Sequence, residues 1–470
     1  MRTCKRILAL AVALSTVLAL GSCGNDDSSS SSHVDQVEVQ DTDLVESMTD
    51  LSEEERTIKW MGTYDLNPTG NNETSVEMSL FQEKGGKIEW IRVTDSGKFE
   101  KLAAAITSNT DVPDIFKYEW MAFPCQVTKN MYQPVDSIVD FDSTLWSDVK
   151  AGADKFVLNG EHYVAPISYS TGVLMMYNQD VIDDEGLEDP YELYMDGDWN
   201  WDTWRELMDE YVANAPSEVT RYGVSGWFAP QIIQQTGETL VNYEDGVFTS
   251  NLMSPEIERA ETFLYDLTKD GLVYADWVDN AKTCFGSMDN ILFYVMGPWA
   301  MTGNNGPAEG DNWKVVPIPA DPNTNAKITT SDMTAYMWVA GSEKSTAVKT
   351  WFECAHIAAT KDEYKEAGKQ KFLIDNPQWT EEMYDVIQVT SSSEYDQVFD
   401  YAYGISALLS DDNSATDDTG ACVTRKLYEY VTKSDAEGKQ YTWAELRSSY
   451  SNTVDEELKQ INDVIASMTK

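Results

Sequence analysis

Flat aromatic rings stand where this chain is expected to leave its strands, at Tyr64, Trp120, Tyr169, Trp227-Phe228 and Trp299, and two of them adjoin carboxylates, as Tyr64-Asp65 and Glu119-Trp120. An aromatic face attracts a flat C–H surface, and a carboxylate can accept two neighbouring hydroxyls at once. Such pairs therefore suit a molecule with apolar faces and a hydroxyl rim, as a sugar ring has. The chain supplies the materials in quantity, with 15 Trp, 24 Tyr and 80 Asp+Glu. Covering one face of a pyranose removes ~60 Å² of apolar surface, which at about 25 cal/mol per Å² contributes roughly 1.5 kcal/mol. Two or three platforms plus polar contacts bring the sum to about −8 kcal/mol, the micromolar range. Trp60, Trp90 and Trp338 lie inside expected strands and are assigned to the core, while Trp199, Trp201 and Trp204 cluster about a helix start and pack locally.

Other chemistries find fewer parts. The only histidines are His33, in the expected tether, His162, in a strand turn, and His356, at helical spacing from Trp351 and Phe352, so a His-dependent nucleophilic triad or a His-rich zinc site is hard to assemble. With 80 acids some carboxylate pair always lies close, so a pair for glycoside hydrolysis carries no signal, and an anchored hydrolase stays open as an alternative. Asp321-Pro322-Asn323-Thr324-Asn325, with Asp332 at the twelfth place, alternates oxygen donors as a calcium loop does. Ala326, however, stands where the sharp turn needs glycine, and no glutamate closes the loop. No Gly-rich phosphate loop is visible, and neither a metal nor a cofactor is expected.

The elements that must position the aromatic pairs are legible as patterns. The alternating run Thr57 to Tyr64 reads as a strand, 73 to 84 as a helix, 87 to 93 as a strand, 97 to 109 as a helix, and Pro113-Asp114-Ile115-Phe116 opens a third strand. This order implies parallel strands and right-handed crossovers, hence an α/β fold, in which ligands sit at the carboxyl ends of strands. Farther on, Gly172 to Tyr177, 222 to 227, Trp313 to Ile318 and Ala335 to Val339 read as strands, and Thr346 to Ala359 as a helix. Asp202 is expected to cap a helix carrying Trp204, Leu207, Met208 and Tyr211, and Ser254-Pro255 starts one that stops at Gly271. Beyond Pro377 the chain reads as helical to its end.

Composition bounds the setting. Arg2, Lys5 and Arg6, an apolar run from Ile7 to Leu20 and Leu20-Gly21-Ser22-Cys23 resemble a lipoprotein signal, with Cys23 as lipid acceptor and residues 1–22 removed. An ordinary secretory signal is the alternative. The stretch 23–50, Ser-rich and then acidic, reads as a flexible tether reaching roughly 30 Å, which would hold the body at the outer face of the cell membrane. The formal charge is −46, and because residues 1–22 carry three basic side chains and no acid, the remainder carries −49. Such a field disfavours nucleic acid and anionic headgroups. Cys125, Cys284, Cys354 and Cys422 are too scattered to form a disulfide framework, and their pairing is left open by the sequence. About 410 residues after the tether exceed one core, so two lobes are expected.

Taken in order, several segments resemble the family 1 extracellular solute-binding proteins of ABC importers. They are Pro113-Asp114-Ile115, Asn159-Gly160-Glu161-His162-Tyr163-Val164-Ala165-Pro166, Leu174-Met175-Met176-Tyr177-Asn178-Gln179-Asp180-Val181, in which Gln179 departs from the usual lysine, and Gly297-Pro298-Trp299-Ala300. The resemblance runs from about residue 57 to 360. It implies a two-lobed periplasmic-binding-protein-like (type II) fold, with one lobe from 51–170 plus 330–375, the other from 171–329 plus 376–470, and a hinge of three crossings that lets the lobes close on a ligand. It also implies a monomer that performs no chemistry, captures a carbohydrate, and passes it to membrane permease subunits. Trp299 is the leading platform by this resemblance. The same fold binding a peptide or amino-acid-like solute remains the further alternative.

Overall fold

The computed structural model describes residues 48–68, 74–288, 290–411, 420–434 and 438–468. The stretch 1–22 read as a signal, Cys23 and nearly all of the stretch 23–50 read as a tether lie outside these residues. Strands β1 (Thr57–Gly62), β2 (Lys87–Arg92) and β3 (Ile115–Lys117) are joined by helices Val76–Glu83 and Lys98–Ser108. β1 pairs in parallel with both β2 and β3, so the strands are parallel, as expected of a βαβαβ run, and β1 is the central one of the three. The first helix buries Met78, Leu80 and Phe81 on one face, against the helix Ser345–Thr360. There Phe81 meets Trp351 edge-on at 5.4 Å.

The hairpin of β4 (Val157–Leu158) and β5 (Glu161–His162) leads into β6 (Ala165–Thr171), which pairs antiparallel with β13 (Ile328–Trp338). β13 also pairs with β3, closing one mixed sheet. A second sheet has the order β12 (Trp313–Val316), β7 (Leu174–Asn178), β11 (Ile291–Met296), β8 (Tyr222–Gly226). β11 is buried at all six positions, which explains its uninterrupted apolar sequence Ile-Leu-Phe-Tyr-Val-Met. Each sheet centres one lobe. The chain passes between them at Gly172-Val173 and again where β13 begins. A separate hairpin, β9 (Val241–Glu244) with β10 (Val247–Ser250), packs on the final helix Trp443–Met468.

Two expectations are corrected. The cap of the helix Trp201–Ala213 is Asn200, not Asp202. Asn200 is extended and its side chain accepts the Asp202 and Thr203 N–H groups, while the Thr203 hydroxyl accepts the Asn200 N–H, so the two residues satisfy each other's orphan donors. The tail is not purely helical either. β14 (Asp396–Val398) pairs in parallel with Ile328–Thr330 of β13, returning the chain to the first sheet before the last helices. A three-residue strand has no period to read in sequence, and only the partner edge makes it a strand.

The four cysteines Cys125, Cys284, Cys354 and Cys422 are buried free thiols. His356 is held by the Ile167 and Leu145 carbonyls, both at 2.7 Å, and stacks on Trp146. His162 lies between Asp136 and Asp154, at 2.6 and 3.1 Å. Both histidines therefore brace local structure. No helix among the described residues is long and apolar enough to cross a membrane.

Candidate functional site between the lobes

The two loops that follow parallel strands of different sheets face each other. After β3, Tyr118-Glu119-Trp120 leaves the first sheet. After β8, Gly226 turns sharply at φ +101°, and a Cβ there would stand 2.1 Å from the Val295 carbonyl oxygen, so only glycine allows the turn that lifts Trp227 off the second sheet. Trp120 and Trp227 come to 5.3 Å between ring centroids, 33° from parallel. A third ring, Tyr403, lies 5.4 Å from Trp120. Its approach depends on Gly404, whose backbone runs so close to the Phe123 carbonyl that a Cβ would sit 1.7 Å from its oxygen.

These rings bound a narrow compartment of about 20 Å³ that Gln231, Gln234, Thr330, Phe399 and Asp400 also line. Its polar groups are incompletely satisfied. Gln231 is 1% exposed, and its Nε2 has no hydrogen-bond partner. One Asp400 oxygen accepts the Ala402 N–H at 2.9 Å, while Oδ2 is buried with no hydrogen-bond partner within normal bonding distance. Burial pushes the Asp400 carboxyl up to about 6, against a smaller downward pull from the Ala402 amide and the nearby Tyr428 hydroxyl. Gln234 is already engaged, accepting from the Thr330 hydroxyl. Ring faces, one unpaired acceptor and one unpaired donor converge at this point, an arrangement suited in shape and polarity to a hydroxyl-rich ring.

The residues singled out from sequence divide. Trp120 and Trp227 meet. Glu119 and Tyr64 stand near each other at the carboxyl ends of β3 and β1, where Lys98 pairs with Glu119 at 3.2 Å. Burial, then the Glu119 and Glu77 carboxylates, push the Tyr64 hydroxyl up to about 12. Asp65 is spent on its own turn, accepting the Asn67 N–H and side-chain amide at 3.0 and 2.9 Å. Tyr169 packs over Gly152 and reaches the Val149 carbonyl at 3.4 Å. Phe228 is 3% exposed and packs on Trp204, so it offers no open face and is a core residue. Trp299 follows β11 on a 3-10 turn and is 61% exposed, outside the narrow compartment. Asp321, first residue of the calcium-like loop, is fully buried and clamped by Arg259, one of the two contacts measuring 2.9 Å, and Asp332 lies in β13. Among the described residues no group of three or more potential ligands could hold a metal.

Sequence reading missed Gln231, Gln234, Asp400 and Tyr403. The two glutamines follow Trp227 within two helical turns and were within reach. Asp400 and Tyr403 come from the C-terminal third, which carried no motif.

Two α/β lobes with an aromatic-lined site between them define a class, the two-lobed binding proteins. The sequence profile of the bacterial extracellular solute-binding proteins matches residues 80–356, more than half of the chain, and the chain belongs to that family. No curated protein sequence is significantly similar to it. Several solved structures share the fold at low identity. The galacto-N-biose-/lacto-N-biose I-binding protein of Bifidobacterium longum, in complex with lacto-N-biose, has a TM-score of 0.61 at 13% identity, covering 86% of this chain and 97% of its own. An ABC substrate-binding protein of Listeria monocytogenes, in complex with cycloalternan, has 0.53 at 18% identity, covering 88% and 98%. UgpB of Mycobacterium tuberculosis, in complex with glycerophosphocholine, has 0.57 at 17%, covering 87% and 98%.

Proposed function

We propose that this protein captures a carbohydrate, an oligosaccharide, between its lobes and delivers it to the permease of an ABC transporter without altering it chemically. The observation that carries this reading is the facing of Trp120 and Trp227 from different lobes, with the unpaired Asp400 Oδ2 and Gln231 Nε2 at their base. The narrow compartment is far too small for a sugar ring, so a ring enters only as the two tryptophans part, and lobe closure then presses both faces on it. The structures bound to lacto-N-biose and cycloalternan support the same ligand class by likeness of fold. Tyr64, Glu119 and Trp299 stand at strand ends as further contacts for a ligand reaching outward.

Titration calorimetry against a panel of neutral oligosaccharides tests the reading, with a micromolar binder expected. A ligand hydroxyl donating to Asp400 favours the ionised carboxylate, so affinity should fall as pH drops through about 6, where the empty site protonates. Asp400→Asn should bind about tenfold more weakly at neutral pH, roughly 1.4 kcal/mol, and lose the pH dependence. A panel without binders, or an unaltered pH profile in Asp400→Asn, would count against the assignment.

The lipobox-like run ending at Cys23 supports attachment of this receptor to the outer face of the membrane through lipid and tether. A Cys23→Ser protein should appear in the medium with its sugar affinity intact. Incorporation of labelled fatty acid into that variant at the wild-type level would overturn the anchor.

A further inference from the structure

On the other side of Phe399 lies a second space between the lobes, of about 870 Å³, and Phe399 lines both compartments. Its walls are the β4–β5 hairpin at Asn159, the β9–β10 hairpin, the end of the last helix at Ile465, and the segment Gln397–Tyr401. The lobes touch across it. The Tyr243 hydroxyl donates to the Val157 carbonyl, and the Tyr401 hydroxyl to that of Lys155 at 2.9 Å. The space is thus bounded by both lobes while its neighbour is closed down around ring-on-ring contacts.

Size and wall chemistry say what it would take. Small-molecule sites run to about 300–1,000 Å³, and this space lies in the upper part of that range, more than one sugar ring fills. Tyr243, Phe399 and Tyr401 supply ring surface. Asn242, Glu244 and Asp245 stand exposed on the hairpin, and the Gln397 Oε1 is buried with no hydrogen-bond partner. Among the described residues on the walls Lys155 is the one that is basic, and its Nζ lies 5.7 Å from the Phe399 ring centroid. Against Asp154, Glu244 and Asp245 it leaves the compartment net negative, which disfavours phosphorylated, sulfated or uronic-acid chains.

We propose that the wide compartment continues the ligand path past Phe399, holding the further units of an uncharged oligosaccharide whose end ring stands between Trp120 and Trp227. This rests on the carbohydrate reading above and extends it to ligand length and charge. The receptor then selects neutral chains of several units over mono- and disaccharides, because only a long chain reaches both compartments.

The test uses the protein with Cys4→Ser and Cys23→Ser carrying Asn242→Cys, with and without a bulky fluorescein maleimide. The four internal cysteines are buried and should not react. Probes are malto-, cello- and β-1,4-galacto-oligosaccharides of one to six units, each titrated by calorimetry. In the unlabelled protein, affinity should rise with chain length in the series that binds. Labelling should lower affinity for the long members at least tenfold and leave the short members within twofold. Wild-type-like binding of every length after labelling, or equal loss at every length, overturns the extension while leaving carbohydrate capture standing. If no member of any series binds the unlabelled protein, carbohydrate capture fails, and the extension fails with it.

Discussion

A protein carrying Trp120→Ala and Trp227→Ala together should bind its oligosaccharide more than a hundredfold more weakly than the wild type. Each indole face covers ~60 Å² of a pyranose, and at about 25 cal/mol per Å² two faces contribute roughly 3 kcal/mol. That corresponds to about two orders of magnitude in Kd. The single variants should each lose about tenfold. Because the two rings also touch each other in the closed protein, the single losses need not sum to the double loss, and a double-mutant cycle would expose the coupling. Circular dichroism and the melting transition check that the lobes remain folded. Trp120 and Trp227 are both partly exposed and end loops, so the fold should survive their loss. Ligand addition to the wild type should also shift tryptophan emission as the pair separates. Binding by the double variant within threefold of wild type would mean that the ligand is gripped elsewhere, with Trp299 the next residue to test.

Arg259→Ala should cost about 3 kcal/mol of stability, because it strands a buried carboxylate that pairs with no other cation among the described residues. Asp321 is fully buried, and Arg259 holds both its oxygens while lying 5.0 Å from the Trp201 ring. The arginine is on the helix Pro255–Lys269 and the aspartate on the loop before β13, so the pair ties the second sheet's helical cover to the strand that crosses between lobes. Urea unfolding should show the loss in Arg259→Ala and a partial recovery in Arg259→Ala with Asp321→Leu, since removing the stranded charge removes most of the penalty. A loss under about 1 kcal/mol in the single variant would show the ion pair to be unimportant.

The contrast between these two sites explains how far sequence could reach. The βαβαβ start was legible because alternation and helical periodicity are local, and the crossover rule then makes the three strands parallel, while the placing of β1 between β2 and β3 was left to packing. Ser254-Pro255 predicted its helix because a cap satisfies donors two and three residues away. The role of Asp321 was not legible for the opposite reason: its oxygen-donor spacing suggested a calcium loop that the missing glycine and glutamate argued against, and no other role showed. Its true partner is 62 residues earlier in the chain, and nothing local announces a guanidinium.

The site followed the same division. That aromatic residues and carboxylates would gather at strand ends was determined by the sequence, since strand termini, ring types and charge are all one-dimensional facts. Which of them meet was decided only by tertiary packing. Trp120 finds Trp227 across two sheets, Phe228 next door turns into the core against Trp204, and Tyr403 joins from a segment with no readable motif because Gly404 lets its backbone press on Phe123. Side-chain periodicity states which face of an element is buried. It does not state which other element supplies the burial, because that depends on contacts between residues far apart in the chain, whose pairing is set by the close packing of the whole.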